Sequence, residues 1–394
     1  MSLNDTVSAE RVHIAFFGMR NAGKSSVVNA VTGQSLSVVS DVKGTTTDPV
    51  KKAMELLPLG PVVIIDTPGF DDEGELGAMR VKKTKEILQK ADIAVLVVDA
   101  VRGISQQDEE LLSVFSERKI PYIIALNKCD LLDSSFENNE NKLFISAKTG
   151  ENINALKEKL AAFAKSIKND KKIVADLIKP GDNVILVIPI DESAPKGRII
   201  LPQQQVLREL LDSGCCALCV QTSGLKAALD GLKEPPALVI TDSQAFKEVS
   251  NIVPESVPLT SFSILFARYK GEYSLLMDAA KALKKLKNGD KVLISEGCTH
   301  HRQCNDIGTV KIPGWIKQYS GADPEFTFTS GGEFPEDLSE FSLIVHCGGC
   351  MLNETEMKSR LGRAAGQGVP IINYGMAIAE MNGILERATK CFTI

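Results

Sequence analysis

Aromatic residues and histidines are scarce in this sequence, and it contains no long hydrophobic runs. Its 394 residues include one tryptophan, five tyrosines and four histidines, with 44% hydrophobic and 24% charged residues. No apolar run approaches the ~18 residues of a membrane-spanning helix. Residues 1–19 also lack the basic start and apolar core of a signal peptide. We therefore expect a cytoplasmic protein without a membrane partner.

An excess of basic charge is missing as well. The formal net charge is -5, which argues against a broad affinity for nucleic acid, so we expect no nucleic-acid partner. No C-x-x-x-C-x-x-C run exists, which excludes a radical-SAM enzyme. The nine cysteines of a cytoplasmic chain are not expected to form a disulfide framework. Those that cluster with histidines become candidates for metal ligands.

Three sections follow one another along the chain, each alternating apolar strands with amphipathic helices. A chain of 394 residues exceeds what one hydrophobic core usually supports. The first section ends in INALKEKLAAFAKSIKNDKK, the second opens with NVILVIPI, and the third begins with YSLLMDAAKALKKL. We predict an α/β fold, with a mostly parallel sheet flanked by helices in residues 1–168 and two smaller α/β domains in residues 169–270 and 271–394.

A glycine-rich loop in the first section carries the most specific signal. The stretch GMRNAGKSS fits the phosphate-binding pattern G-x-x-x-x-G-K-[ST] and lies between a predicted strand and a predicted helix. The glycines let backbone N–H groups close around phosphates, Lys24 reaches the β and γ oxygens, and Ser25 offers a hydroxyl to Mg²⁺. The predicted nucleotide-binding residues of this loop are Gly18, Asn21, Ala22, Gly23, Lys24, Ser25 and Ser26.

Four further motifs, on other loops, complete a site for GTP. DTPG follows the strand PVVII, so that Asp66 can hold Mg²⁺ through water, and GTTT offers hydroxyls, with Thr47 as the second Mg²⁺ ligand. Asp130 of NKCD can accept from the ring N–H and the exocyclic amine of guanine, which adenine lacks. SAK closes the base pocket. These motifs add the predicted nucleotide contacts Thr45, Thr46, Thr47, Asp66, Asn127, Lys128, Asp130, Ser146, Ala147 and Lys148.

This motif set resembles the TrmE–Era branch of small GTPases over the whole first section. In that branch an apolar residue follows D-x-x-G in place of a water-positioning glutamine, and Phe70 stands there in this chain. The resemblance implies hydrolysis that depends on Lys24, Asn21, Asp66 and Gly69. Asn21 matches an asparagine that potassium-dependent members use as a K⁺ ligand, so K⁺ is the expected activator. The alternative is that Asn21 only caps the loop backbone.

Three of the four histidines share two loops of the third section with three thiols. The loops are LISEGCTHH, with Cys298, His300 and His301, and IVHCGGCML, with His346, Cys347 and Cys350. Both follow strands of one α/β unit, and ligands in open α/β sheets gather at the carboxyl ends of strands. We expect the three cysteines to converge there.

The residues alone leave three kinds of site open. A thioredoxin-like redox pair would begin a helix, for which Gly348-Gly349 is poorly suited. A structural zinc ion could take Cys298, His300 or His346, Cys347 and Cys350. A [4Fe–4S] cluster on three thiolates, with its fourth iron left to an exchangeable ligand, fits slightly better than zinc, because glycines allow close backbone approach and N–H donation to sulfide.

The order C-x-H and then H-C-x-x-C, behind such a GTPase domain, resembles the [FeFe]-hydrogenase maturation GTPases of the HydF family. Cys298-Thr-His300 and His346-Cys347-Gly-Gly-Cys350 match the pattern. The resemblance implies a [4Fe–4S] cluster on the three cysteines, with His300, His346 or Glu296 as candidates for the fourth ligand or for a place beside the cluster. It also implies a homodimer formed through the middle domain. The family acts as a scaffold that receives a transient diiron precursor from radical-SAM maturases and passes it to the [FeFe]-hydrogenase apoprotein.

Three other cysteines lie in the second section. An offset of three residues along a strand places Cys216 and Cys219 on opposite faces. We expect both, with Cys215, to be small apolar core residues rather than metal ligands.

A second class of function remains open from the sequence. It is an Era-like GTPase directed to the ribosome or to tRNA, with a structural zinc module near the C-terminus. The acidic balance and the lack of a recognisable RNA-binding motif weigh against it. The ratio of iron to zinc in anaerobically purified protein separates the two classes.

Overall fold

A computed structural model describes residues 10–34, 50–67, 84, 86–132, 137–167, 171–190, 199–297 and 306–392. The strands in these ranges are β1 Val12–Phe17, β2 Val50–Leu56, β3 Gly60–Asp66, β4 Ile93–Asp99, β5 Tyr122–Asn127, β6 Lys142–Phe144, β7 Asn183–Val187, β8 Cys216–Val220, β9 Leu238–Thr241, β10 Leu259–Ser261, β11 Lys291–Glu296, β12 Glu325–Ser330, β13 Leu343–His346 and β14 Ile371–Asn373.

The α-helices with defined bounds are α1 Lys24–Thr32, α2 Gln106–Glu117, α3 Ile153–Ile167, α4 Leu201–Asp212, α5 Leu225–Gly231, α6 Phe246–Ile252, α7 Phe262–Lys270, α8 Tyr273–Leu283, α9 Ile312–Ser320, α10 Glu354–Gly366, α11 Tyr374–Met381 and α12 Leu385–Thr389. Short 3-10 turns and a π-helical turn at Ile307–Lys311 lie between them. Within the described ranges, no helix combines the length and the apolar character that crossing a membrane requires.

The chain divides into two compact units, Met1–Asp170 and Lys171–Ile394. In the first unit, six strands form one sheet in the order β2-β3-β1-β4-β5-β6. Strand β2 runs antiparallel to β3, and the other neighbours are parallel. The predicted mostly parallel sheet is therefore confirmed.

Strand β1 shows why the central strands of this sheet read as continuous apolar runs. All six of its residues are buried. Ile14 and Phe16 pack in one cluster with residues of α1 and α3. Ala15 and Phe17 pack in the cluster on the other face, which includes Phe115 of α2. A sheet covered by helices on both faces leaves no side for polar residues, and the carboxyl ends of its strands are left for the loops that carry polar groups.

The second unit contains two four-stranded sheets, in the orders β10-β9-β7-β8 and β12-β11-β13-β14. Every pairing in both sheets is parallel. One cluster of buried residues includes Val239 of β9 together with Val292 of β11 and Val345 of β13. The predicted α/β character of this half of the chain is confirmed, and within the unit the two sheets share a core.

The cysteines of the second section differ in their environment. Cys215 is buried, as the sequence predicted, but Cys216 and Cys219 are both exposed. The prediction of a core position for these two was wrong. Strand β8 ends its sheet in the described part of the chain, and its five residues are all exposed or half-buried, so an apolar sequence here does not mean burial.

Candidate functional site

The phosphate-binding loop runs from the end of β1 into α1. Gly18 and Gly23 have φ angles of 155° and 84°, and Gly23 is the N-cap of α1. A Cβ at Gly18 would meet the carbonyl oxygen of Val97 at 2.3 Å, and one at Gly23 would meet Nδ2 of Asn127 at 2.2 Å. Only glycine therefore fits at either position, and the backbone amides at the start of α1 are left to face an anion.

Two charged side chains meet beside this loop. Lys24, the first residue of α1, donates from Nζ to the carboxylate of Asp66 at the end of β3. Strand β3 is held against β1 with Phe16 opposite Asp66. The next residue, Thr67, donates its hydroxyl to the carbonyl oxygen of Phe16 over 2.7 Å. Ser25 and Ser26, in the first turn of α1, are half-buried. The Lys24 amine, the Asp66 carboxylate and the Ser25 hydroxyl, predicted for phosphate and Mg²⁺, thus lie at one edge of the sheet.

Asn127, at the end of β5, joins the phosphate-binding loop to the loop after β6. Its side chain is buried, and its Nδ2 donates to the carbonyl oxygen of Ala22 over 3.0 Å. Its Oδ1 accepts from the backbone N–H of Ala147, also over 3.0 Å. The side-chain amide is thereby satisfied on both sides, and it fixes the distance between the two loops.

The carboxylate of Asp130, predicted to recognise the guanine base, is held in place by Ser146. Ser146 donates its hydroxyl to Oδ1 of Asp130 over 2.6 Å and accepts from the backbone N–H of Thr149 over 3.1 Å. Asp130 is exposed, as is Lys148 on the facing loop. Asp130 is therefore held in a fixed position and is open to a ligand.

Asp99 was missed by the sequence analysis. Lys128, whose φ is 69°, donates from Nζ to Asp99 Oδ2 over 2.5 Å and to the carbonyl oxygen of Asn21 over 2.8 Å. Burial raises the pKa of Asp99. The hydrogen bond from Lys128 and those from the backbone amides of Val101 and Arg102 lower it by more, so the pKa of Asp99 lies below its ordinary value of 3.8. The signal was present in the sequence, since Asp99 ends the apolar run of β4 as Asp66 ends that of β3.

Thr45, Thr46, Thr47, Gly69 and Phe70 lie outside the described residues. Their predicted roles in binding Mg²⁺ and in hydrolysis remain predictions. Cys298 and His300 lie outside them too.

The cysteine loop begins where β13 ends. Strands β11 and β13 pair with Ser295 opposite His346, and the backbone N–H of Cys347 donates to the carbonyl oxygen of Ser295 over 2.9 Å. The Sγ of Cys347 accepts from the backbone N–H groups of Gly297 at 3.0 Å and Gly349 at 3.4 Å. Gly297 is the residue before Cys298, so the sheet register brings the two cysteine-bearing segments together.

The two described thiols are hard to ionise without a partner. Burial raises the pKa of Cys347 to about 11, against the lowering effect of the two amides. Burial also raises the pKa of Cys350. Bound iron or zinc supplies the positive charge that a buried thiolate needs. Among the described residues no three His, Cys, Asp or Glu side chains are grouped to hold a metal ion, and a three-cysteine set needs Cys298. A thiolate whose sulfur accepts hydrogen bonds from backbone N–H groups is a suitable ligand for an iron–sulfur cluster.

His346 is buried behind this loop, with both ring nitrogens in contact. Nδ1 lies 2.7 Å from the carbonyl oxygen of Cys347, which can only accept, so the proton is assigned to Nδ1. Nε2 then accepts from Arg360 over 3.1 Å. Burial first, and the charge of Arg360 second, lower the pKa of His346 to about 3. The ring is neutral, and both of its nitrogens are engaged within the protein.

Arg360 is a further residue that sequence reasoning missed. Its guanidinium is buried, and it donates to the carbonyl oxygen of Gly331 over 2.6 Å and to Glu356 over 2.9 Å. It lies on α10, which begins shortly after the cysteine loop. A motif built on cysteine and histidine spacing gives no signal for such a partner.

Comparison with known families identifies three segments. Residues 173–271 match the hydrogen maturase F dimerization domain, and residues 274–391 match the hydrogen maturase F tetramerization domain. Residues 13–128 match a family described as 50S ribosome-binding GTPase. The two hydrogen maturase F models together cover more than half of the chain.

Curated relatives match over a smaller part. GTPase Der of Clostridium kluyveri is 32% identical over 173 residues, which is 39% of this chain and 39% of that protein. GTPase Der of Clostridium botulinum is 31% identical over 170 residues, 38% of each chain. The match spans about two fifths of the length of these relatives.

Similar solved structures are also GTP-binding proteins. A probable GTP-binding protein engB is 26% identical with a TM-score of 0.33, covering 39% of this chain and 100% of that one. Era of Aquifex aeolicus is 20% identical with a TM-score of 0.35, covering 53% of this chain and 92% of that one. The chain belongs to the hydrogen maturase F (HydF) family of hydrogenase maturation GTPases and carries a GTPase domain ahead of the two family-specific segments.

Proposed function

We propose that the protein is a cytoplasmic scaffold of [FeFe]-hydrogenase maturation. It binds and hydrolyses GTP, holds a [4Fe–4S] cluster, and carries a diiron precursor that it passes to the hydrogenase apoprotein. The observation that carries the proposal is the cysteine loop. In a chain of this family, the Sγ of Cys347 accepts two backbone N–H groups beyond the carboxyl ends of β11 and β13, and one of them belongs to Gly297, the residue that precedes Cys298.

The proposal assigns one task to each section of the chain. Residues 1–168 bind and hydrolyse GTP, residues 169–270 mediate dimerisation, and residues 271–394 bind the cluster. The dimerisation task rests on the match of residues 173–271 to a family segment described as a dimerization domain.

The nucleotide site supports the first task. Lys24 serves the β and γ phosphate oxygens, and Ser25 with Thr47 binds Mg²⁺, which Asp66 holds through water. The contact between Lys24 and Asp66 places both groups at the same edge of the sheet. Asp130, held by Ser146 over 2.6 Å, accepts from guanine, and an unpaired carboxylate would penalise adenine. Asn127 and Lys128 hold the surrounding loops, with Ala147 and Lys148 closing the base pocket.

Asn21 supports K⁺ as an activator. Asn21 is exposed and has a φ of 62°, and its backbone oxygen accepts a hydrogen bond from Nζ of Lys128 over 2.8 Å. The side chain is thus presented from a fixed, left-handed position in the phosphate-binding loop. GTP turnover should be faster in KCl than in NaCl, and the difference should vanish in Asn21→Ala. Equal turnover of the wild type in the two salts would remove K⁺ from the proposal.

The cluster would be held by Cys298, Cys347 and Cys350, and three thiolates leave one iron with an exchangeable ligand. The sulfur of Cys347 already accepts two backbone N–H groups, which would stabilise its thiolate form in the cluster. His346, fixed between the Cys347 carbonyl and Arg360, orients the loop from behind. His300 stays the histidine candidate for the fourth ligand. The partners that follow from this role are the radical-SAM maturases, which supply the diiron precursor, and the apo-hydrogenase.

Activation of an apo-hydrogenase tests the proposal. The chain is loaded anaerobically with cluster and precursor, mixed with apo-[FeFe]-hydrogenase, and hydrogen evolution is measured. Cys347→Ser should fail to activate, whereas Cys219→Ser, which alters an exposed thiol of β8, should activate like the wild type. Full activation by Cys347→Ser would refute the scaffold role of the cysteine loop.

A further inference from the structure

A lysine from the middle section contacts the cysteine loop. Lys270 is the last residue of α7 and is only 3% exposed. Its Nζ donates to the backbone oxygens of Gly349 at 3.1 Å, Cys350 at 3.2 Å and Leu352 at 2.7 Å. An ammonium group has three donors, and here each of them can meet a carbonyl oxygen of one loop.

The position of Lys270 is not that of an ordinary C-terminal helix lysine. Such residues interact with the last carbonyls of their own helix, whereas Lys270 reaches a segment about eighty residues further along the chain. It also falls within residues 173–271, the segment that matches the dimerization domain. The cysteine loop lies in the following segment, residues 274–391. One segment therefore supplies a buried contact to the metal loop of the other.

The loop needs such a contact because of its conformation. Gly349 has a φ of 61°, and the backbone N–H of Leu352 closes a turn onto the Gly349 oxygen over 3.0 Å. The carbonyl oxygens of Gly349, Cys350 and Leu352 all point to one side, where the ammonium of Lys270 meets them. Buried carbonyl oxygens that lack a donor cost free energy. The ammonium of Lys270 supplies donors to all three inside the protein.

A neutral donor could satisfy the same carbonyls, so the charge requires its own explanation. Burying an ammonium group is costly. The cost is offset where a negative group lies close by, because Coulomb interactions are strong in a buried site. Thiolates and the cluster they hold are negative, and the backbone oxygen of Cys350 is 3.2 Å from the ammonium.

We propose that Lys270 is a positioning residue for the cluster. It holds the Cys347–Cys350 loop in its binding conformation before iron arrives, and its charge favours the reduced, more negative state of the bound cluster. The electrostatic role rests on the proposed function, because it requires a bound cluster. The positioning role concerns the metal-free chain and does not.

Three variants of the full chain test the inference. Lys270→Met removes charge and donors at nearly constant volume, and Lys270→Gln removes the charge but keeps two donors. Lys281→Met, an exposed lysine in the last turn of α8, is the matched control. Circular dichroism and thermal unfolding establish which variants fold, and Lys270→Gln covers the case in which Lys270→Met does not.

Hydrogen exchange of the metal-free proteins tests the positioning role. The backbone N–H of Leu352, which closes the turn, should exchange at least tenfold faster in Lys270→Met than in wild type or Lys281→Met. Lys270→Gln should fall between them. Unchanged protection of the 347–352 peptide in both Lys270 variants would overturn the positioning role, whether or not any chain takes up iron.

Redox titration of the reconstituted proteins, followed by EPR, tests the role of the charge. At a fixed potential, the ratio of reduced to oxidised cluster should fall at least tenfold in Lys270→Gln, a shift of about 59 mV for a one-electron couple. Lys281→Met should match the wild type. A wild-type potential in Lys270→Gln would overturn the electrostatic role. Failure of the wild type to take up iron would instead count against the proposed function, and the exchange experiment would then decide the inference alone.

Discussion

Replacing Gly23 with alanine tests how the phosphate-binding loop is packed, and Gly33 offers a matched control. The two glycines cap the same helix, α1, with φ angles of 84° and 66°. An alanine at either position costs about 1–2 kcal/mol for the left-handed backbone. At position 33 the new Cβ would meet nothing within 4 Å, whereas at position 23 it would meet Nδ2 of Asn127 at 2.2 Å.

The additional cost at position 23 falls on the nucleotide site. The amide of Asn127 has to move, and its 3.0 Å bond to the Ala22 oxygen is lost. A lost hydrogen bond is worth about 1 kcal/mol, and a buried group left without a partner costs about 1–3 kcal/mol more. A total of about 2–4 kcal/mol corresponds to about 30- to 700-fold weaker binding, at 1.4 kcal/mol for each factor of ten.

Titration with a fluorescent guanine nucleotide measures this difference. Gly33→Ala should lower thermal stability but leave the affinity for GDP and GTP unchanged. Gly23→Ala should lower stability by a larger amount and lose the stated affinity. If the two variants bound guanine nucleotides equally well, the packing of Asn127 against the phosphate-binding loop would not govern the site, and the reasoning would be refuted.

Three other predictions concern the ion pairs and thiols. The pKa of Asp99 is lowered in the folded chain, so the stability it adds is present above its unfolded pKa of about 4 and is lost as pH falls through the folded value. The stability difference between wild type and Lys128→Met in urea unfolding should therefore be present at neutral pH and shrink in acid; a constant difference would contradict it. Arg360→Met breaks a buried ion pair and should cost about 3–5 kcal/mol in denaturant unfolding; a loss below 1 kcal/mol would place that network in solvent. Iodoacetamide should label exposed Cys219 in the native chain well before buried Cys215, and equal labelling rates by mass spectrometry would reverse that assignment.

Edge strands carry a weaker sequence signal than the central strands of the same sheets. β2, β10 and β12 each end a sheet in the described part of the chain. Strand β2 reads VKKAMEL and β12 reads EFTFTS, so neither shows the continuous apolar run of β1 or β4. An edge strand faces solvent along one side and need not be apolar. Its place is set by the neighbouring strand, which local sequence does not reveal.

The nucleotide site was more predictable than the surroundings of the cysteines. The residues of the phosphate-binding site lie at or just beyond the ends of strands, so motif spacing was enough to predict that Lys24, Asp66 and Asn127 belong to one site. Arg360 contacts His346, 14 residues before it in the chain, and Lys270 contacts Cys350, about eighty residues after it. Neither is marked by a motif, because only the packing of α7 and α10 against the loop brings them there.

Metal analysis tests most directly whether the cysteine loop holds an iron–sulfur cluster. Iron, sulfide and zinc are measured after anaerobic reconstitution, with EPR of the reduced sample, for the wild type and for Cys298→Ala, Cys347→Ala and Cys350→Ala. We expect about four iron atoms per chain and a reduced-cluster signal in the wild type, both lost in each variant. Stoichiometric zinc without iron uptake would contradict this expectation and would favour a ribosome- or tRNA-directed GTPase with a zinc module.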